Sequence, residues 1–341
     1  MMFAIRFLQF PLVALALAVT GNVWAADAQA PAIALESAQH APLVAVSQVG
    51  RRLVAVGDHG IVVLSDDGET WRQASSVPVD GLLTALSFID ERQGWAVGHG
   101  GVLLHTEDGG ETWALQQLLE EQPVLLSVWF ENAQHGIVVG AYGYAAQTQD
   151  GGQSWQRLSV GADGDDYHLN HIFATRDGSL LIAAEAGNAY RSADRGASWQ
   201  SLDTGVSGSL WSGVGLRDGR ALLVGMSGRV LLGDSSGKRW RELSSGTVEA
   251  ITDVAQLADG RVALVNNLGL DLGKDPETIL TRVERGDLPA PAPTDAWASD
   301  REYHDHVRQI DAETPARFNA DPRRLHQVSG CAGKLAVFAV R

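Results

Sequence analysis

The sequence predicts an all-β fold, a β-propeller of six to seven four-stranded blades. Three observations carry that prediction. A box ending in Trp recurs about every 42 residues, a V-G-x-x-G segment runs ahead of it on the same period, and a short apolar stretch opens each unit. No stretch between copies has helical periodicity. Four short strands repeated every ~40–45 residues mark a propeller, whose blades bury their faces against one another.

The elements follow in chain order. Residues 1–25 read as a secretory signal peptide. Arg6 is the only charge before Asp27, an apolar run extends from Leu12 to Val19, Gly21 breaks it, and Val23-Trp24-Ala25 gives a small-x-small cleavage pattern. The run is shorter than the ~20 apolar residues of a membrane span, and Gln9 and Pro11 stand just before it. No later segment approaches ~18 unbroken apolar residues, so no membrane insertion is expected after signal cleavage. The expected location is the periplasm. A single cysteine, Cys331, excludes a disulfide scaffold and a four-cysteine zinc site.

Residues 26–285 form the expected propeller. The boxes are Leu64 to Trp71 (L-S-D-D-G-E-T-W), Thr106 to Trp113 (T-E-D-G-G-E-T-W), Thr148 to Trp155 (T-Q-D-G-G-Q-S-W) and Ser192 to Trp199 (S-A-D-R-G-A-S-W). Gly233 to Trp240 is a worn fifth copy, and the Trp spacings are 42, 42, 44 and 41. A sixth, poorer copy ends near Leu280, without its Trp. V-G-x-x-G precedes four boxes, at Val56-Gly57, Val97-Gly98, Val139-Gly140 and Val224-Gly225; Ala184-Glu185 and Val265-Asn266 open less complete versions. The glycine pair suits a tight hairpin between the second and third strands, where positive φ is needed.

The box residue types have physical reasons. The carboxylates of Asp66, Asp108, Asp150 and Asp194 can accept backbone N–H bonds inside their own turns. Gly68, Gly110, Gly152 and Gly196 take backbone conformations other residues resist. Trp71, Trp113, Trp155, Trp199 and Trp240 are expected to lie between sheets, where a buried Trp covers ~150–250 Å². At ~25 cal/mol/Å² that is up to about 4–6 kcal/mol each.

These boxes resemble the Asp-box, or bacterial neuraminidase repeat, of sialidase-like propellers. With the V-G-x-x-G hairpins in register, the chain from about residue 43 to about 284 more closely resembles the photosystem II assembly and stability factor family. That resemblance implies a seven-bladed exported propeller without catalysis, serving a membrane protein complex.

Residues 286–341 carry neither box nor V-G-x-x-G. They open with the Pro-rich stretch Leu288 to Thr294 and end in an apolar strand, Leu335 to Val340. Three readings stand side by side: a strand closing a blade with the N-terminal segment, a degenerate seventh blade, or a non-native sequence from a frameshift near residue 290.

No catalytic residue, metal site or cofactor is assigned. A sialidase needs an Arg cluster, a Tyr–Glu nucleophile pair and an acidic residue. Here Tyr142 and Tyr144 sit in one hairpin and Glu185 in the next, which reads better as rim residues. The repetition of the box aspartates also argues for turns, since a catalytic carboxylate is needed once or as one pair. Asp163, Asp165 and Asp166 lack the spacing of a calcium loop, with Tyr167 in the third ligand place.

Hairpins between second and third strands emerge on one propeller face, with the connectors between blades. Asp58, His59, His99, Tyr142, Glu185, Asn188, Met226, Asn266 and Asn267 are therefore the candidate partner-binding rim. The formal net charge is −15, which disfavours nucleic acid. The resembling family is described as using basic patches, whereas Arg51-Arg52 is the only Arg pair in this propeller. The expected partner is thus a protein with a basic surface, an integral membrane complex such as a transporter, bound by a monomeric propeller. The alternative is a glycan-binding or sialidase-like Asp-box propeller.

Overall fold

The protein is described by a computed structural model covering residues 30–266, apart from 36–37, 163, 235–236, 247–249 and 258. The signal segment, the sixth box, Asn267 and the 286–341 tail lie outside the described residues.

The repeats fold as successive antiparallel meanders. The first blade is β1 (Leu43–Val49), β2 (Arg52–Gly57), β3 (Val62–Ser65) and β4 (Arg72–Gln73). The second is β5 (Leu83–Phe88), β6 (Gly94–Gly98), β7 (Val102–Thr106) and β8 (Ala114–Leu118). The third is β9 (Leu125–Phe130), β10 (Gly136–Gly140), β11 (Ala145–Thr148) and β12 (Gln156–Arg157). The fourth is β13 (Leu169–Ala174), β14 (Leu180–Ala184), β15 (Ala189–Ser192) and β16 (Gln200–Leu202). The fifth is β17 (Leu210–Gly215), β18 (Ala221–Gly225), β19 (Val230–Gly233) and β20 (Trp240–Leu243). A two-stranded sheet follows, β21 (Ile251–Gln256) and β22 (Val262–Asn266). The described residues thus hold five complete blades and one pair of strands.

The second strand of a blade is covered on both sides, and its sequence reflects this. β6, β10, β14 and β18 are buried at every position, and G-I-V-V-G or L-L-I-A-A leaves no polar side chain to strand there. The apolar clusters between blades each draw on two neighbours. Val54, Leu64 and Val56 of the first pack with Leu83, Leu104 and Trp113 of the second. Trp95, Val97 and Leu103 of the second pack with Leu125, Phe130 and Val138 of the third. On the other face of the first blade, Leu43, Ala55, Ile61 and Val63 are packed with Ala38, with Ala41 and Trp71 alongside.

The innermost strands β1, β5, β9, β13, β17 and β21 touch in succession. From β5 onward, polar side chains tie each to the next. The Thr84 hydroxyl donates to the Leu125 carbonyl (2.7 Å), and the Phe130 N–H to the Ser87 hydroxyl (3.0 Å). The Ile172 N–H donates to Ser127 (3.2 Å), Asn170 to the Leu210 carbonyl (2.8 Å), and Ser212 to Asp253 (2.5 Å). Buried polar groups must find partners, and here they find them one blade away.

The box turn is seen in full at Asp108. Its carboxylate accepts the Thr106 hydroxyl (2.8 Å), the Thr112 N–H (2.9 Å) and the Thr112 hydroxyl (2.6 Å), while the Gly110 N–H donates to Thr106 (3.0 Å). Asp150 and Asp194 repeat the pattern with Thr148 and Ser154, and with Ser192 and Ser198. Hydrogen bonds from Ser154 and from Ser198, first among several, hold these two carboxyls down at about 2.

In the first box the same role belongs to Asp67, where the sequence reading had Asp66. Asp67 accepts from Ser65, the Glu69 and Thr70 amides, and the Thr70 hydroxyl. The loop between the hydroxyl residues is one residue shorter there, so counting back from Trp71 lands one place early. Asp66 instead pairs with Arg52 at 2.8 Å. In the worn fifth box, Asp234 accepts from the Lys238 amide and the Arg239 guanidinium.

Of the box tryptophans, Trp113 is buried, and its indole N–H reaches the Gly110 carbonyl at 2.9 Å. Trp155, Trp199 and Trp240 lie partly buried at the borders of the interblade clusters. Trp71 is likewise partly buried. The fourth strands that follow Trp71, Trp155 and Trp199 are short edges of two or three residues. Trp95, outside any box, is more deeply buried, stacked on Phe130 at 3.7 Å and 5°.

Two glycine positions explain V-G-x-x-G. At the first, Gly98, the backbone is extended, but an added Cβ would lie 2.2 Å from the Leu82 carbonyl oxygen, beside the register shift between Leu83 and Ala85. In the fourth blade Ala184 occupies this place, paired with Leu169, so the motif there begins at Ala183-Ala184 rather than Ala184-Glu185. The second position, Gly60, follows His59 in a tight turn with φ of 55° and 66°, the left-handed pair of a type I′ hairpin. A Cβ on Gly60 would lie 1.9 Å from the Val79 oxygen.

Candidate functional site

The hairpin tips and the interblade connectors share one end of the molecule, and the chain builds this from repeated backbone bonds. The amides of Asp58, His99, Ala141, Glu185 and Met226 donate to the carbonyls of Pro42, Leu82, Val124, His168 and Ser209 at 2.9–3.0 Å. Each acceptor is the residue just before an innermost strand. The amides of Gly60, Gly101 and Gly143 donate across to Gly81, Pro123 and Tyr167 in the connectors. Each tip is thereby fastened to the outgoing connector of its own blade.

The candidate rim residues fall on this frame in different ways. Asp58 and His59 form the first tip, with the imidazole Nδ1 3.1 Å from the carboxylate. His99 opens the second tip and is half-buried, with Nε2 unpartnered. Burial pushes its imidazole down, and the charge of Asp58 pulls the other way. Tyr142 stands out from the third tip with 74% of its surface exposed. Glu185 belongs to the fourth tip. Met226, 43% exposed, opens the fifth. Asn188 departs from the expected role: its side chain donates to the Glu185 carbonyl at 3.0 Å, so it closes the turn. Asn266 ends β22.

The structure brings Tyr142 and Glu185 to one point through a residue that had not been placed on the rim. The Tyr142 amide donates to His168 Nδ1 at 3.3 Å, and the two rings meet edge to face with centroids 4.9 Å apart. Glu185 lies 3.5 Å from the same Nδ1 and accepts the His168 backbone N–H at 3.2 Å. The available signal was positional, because His168 stands immediately before an innermost strand, where every connector meets a tip.

Tyr144, the other tyrosine weighed as a nucleophile, is buried beneath Arg157, whose guanidinium sits 3.9 Å above its ring. Burial pushes its phenol up, opposite to what a nucleophile needs. On the opposite end, the box end, arginines meet acids. Arg72 donates to both Glu111 oxygens at 2.7 and 2.6 Å, and Arg195 reaches Glu131. The Arg72 guanidinium holds the Glu111 carboxyl below its ordinary range. Among the described residues, no group of three His, Cys, Asp or Glu could hold a metal ion.

The fold defines a repeat propeller whose blades carry Asp-anchored turns at one end and tips fastened to connectors at the other. The chain belongs to the family described as photosynthesis system II assembly factor YCF48, which matches residues 64–123 and 116–270. A solved structure of YCF48 bound to a D1 peptide is 22% identical, with a TM-score of 0.57 over 70% of this chain and 80% of that one. YCF48 from Cyanidioschyzon merolae is 17% identical, with a TM-score of 0.54 over 67% and 81%. A separate likeness covers 78 residues that are 51% identical to the quinone-dependent D-lactate dehydrogenase of Haemophilus influenzae. It takes in 22% of this chain and spans 14% of the length of that enzyme.

Proposed function

We propose that this protein is a non-catalytic docking propeller, exported to the periplasm by its N-terminal segment, that assists assembly or activity of an integral membrane complex. The observation that carries this reading is membership of a family with a solved relative, YCF48, bound to a D1 peptide. The end bearing tips and connectors suits such a role, because rigid loops on an all-β frame present side chains without refolding. We read β21–β22 as the opening half of a sixth blade in a ring of six to seven. The dehydrogenase likeness brings no activity with it, given how little of that enzyme it spans. We place that stretch largely beyond residue 270, where the family match stops. This favours the reading of the tail as sequence foreign to the propeller, and an intact mass of the protein from its own cells tests it.

The functional test is in-cell crosslinking, followed by purification from envelope membranes and mass spectrometry. Recovery of one integral membrane complex supports docking. Recovery of nothing above background, with the protein free in the periplasm, overturns it and favours the glycan-binding alternative, which a glycan array would then examine.

A further inference from the structure

We infer that the junction of the third and fourth hairpin tips, built from Tyr142, His168 and Glu185, is a recognition point for a basic protein segment and takes an Arg or Lys side chain. This rests on the docking reading above and gives it a place and a chemistry.

Tyr142 is the most exposed large apolar side chain among the described residues. It is held outward by a tip whose backbone is fixed at both ends: its own amide is bound by His168, and the next amide, Gly143, by the Tyr167 carbonyl. His168 packs edge-on against the tyrosine ring, leaving the rest of the ring to solvent. An exposed phenol ring beside a carboxylate offers a cation a π surface and a counter-charge together. Glu185, 45% exposed, supplies the carboxylate next to it.

The surroundings settle the sign of the occupant. The connectors on this end carry Asp80, Glu120, Asp165, Asp166 and Asp203, all exposed, and Glu121, which faces Arg157 at 3.8 Å. Among the residues forming the described tips and connectors, the only Lys or Arg is Arg229, which faces Glu242 at 3.2 Å. An acidic segment would meet like charge across the whole approach, whereas a basic one is steered towards Tyr142. A sugar could stack on the ring but would draw nothing from the field.

The test uses the full chain and an acetylated, amidated octapeptide of alternating Gly and Arg, titrated at low and moderate salt. The comparison ligands are the Gly-Glu peptide and a neutral xyloglucan oligosaccharide. The expected result is binding of the Arg peptide that weakens with salt. Affinity should fall about threefold to tenfold in Tyr142→Ala, the range of a partly exposed cation–π contact. It should fall similarly in Glu185→Gln and persist in Tyr142→Phe and in Glu107→Gln on the box end. Tyr142→Gly separates binding from folding: glycine suits the φ of 54° there, so the variant should melt no lower than the parent and still lose affinity. Equal binding by Tyr142→Ala, equal binding of the Glu peptide, binding of the sugar alone, or no binding at low salt each overturns the inference. If crosslinking recovers a membrane complex equally well with Tyr142→Ala, this site is wrong and the docking function stands. If crosslinking recovers nothing, the function itself fails.

Discussion

Three Gly→Ala substitutions separate the conformational from the steric reason for glycine in this fold. Gly68 has φ of 81° and nothing within 4 Å of an added Cβ, so alanine there meets only the left-handed backbone cost, about 1–2 kcal/mol. Gly98 is extended, so alanine meets only the Leu82 oxygen, 2.2 Å away. The protein already carries alanine at the matching place, Ala184, so the backbone can yield. The cost should fall in the overpacking range of about 1–3 kcal/mol. Gly60 meets both penalties, a φ of 66° and an oxygen at 1.9 Å, and should lose roughly 2–5 kcal/mol by their sum. Alanine also stiffens the unfolded chain, which returns about 0.4–1 kcal/mol equally in all three. The assay is urea unfolding followed by tryptophan fluorescence, with midpoints compared at constant slope. A Gly60→Ala midpoint no lower than that of Gly68→Ala would refute the reasoning, because the connector would then not press on the tip.

Trp95→Ala and Trp113→Ala should each cost about 3–5 kcal/mol by thermal or urea unfolding, and the partly buried Trp71→Ala clearly less. Thr84→Val removes the hydroxyl that bridges β5 to β9 and leaves the buried Leu125 carbonyl short of its partner, for about 1–3 kcal/mol in the same assay. Asp150 and Asp194 titrate at about 2 in the folded protein, below the ordinary carboxyl range near 4. Their stabilisation is therefore present above pH ~4 and is lost as pH falls through about 2. The melting-temperature gap between the parent and Asp150→Asn should be widest above pH ~4 and close towards pH 2; a gap independent of pH would show that the turn does not depend on the charge.

The repeat made much of the fold legible. Constant Trp spacing gave the period, and the continuous apolar runs of β6, β10, β14 and β18 are what strands covered on both sides require. The errors came where loop length was assumed constant. One missing residue moved the anchoring carboxylate from Asp66 to Asp67, and an alanine in a glycine's place hid the register at Ala184. The belt of bonds between innermost strands was not legible, because Thr84, Ser127, Asn170 and Ser212 share a job but span three residue types at no fixed place in the repeat. Trp95 was likewise unmarked, as its burial depends on Phe130 of the following blade. At the candidate site, Tyr142 and Glu185 could be placed on tips from the hairpin motif. Their meeting through His168 depends on how a connector folds back, and no local pattern encodes that.

The apolar clusters have a consequence for how such a chain can be cut or grown. The stretch that repeats along the gene begins with an innermost strand and ends with a box, yet no such stretch owns a core. Each core between blades is divided between the trailing face of one sheet and the leading face of the next. The unit of copying and the unit of folding are therefore half a period out of phase. An excised single repeat would carry two half-cores and should not fold, whereas inserting a whole repeat between two others creates as many complete seams as it interrupts. Duplication can lengthen this architecture without redesigning any interior, and truncation always exposes one.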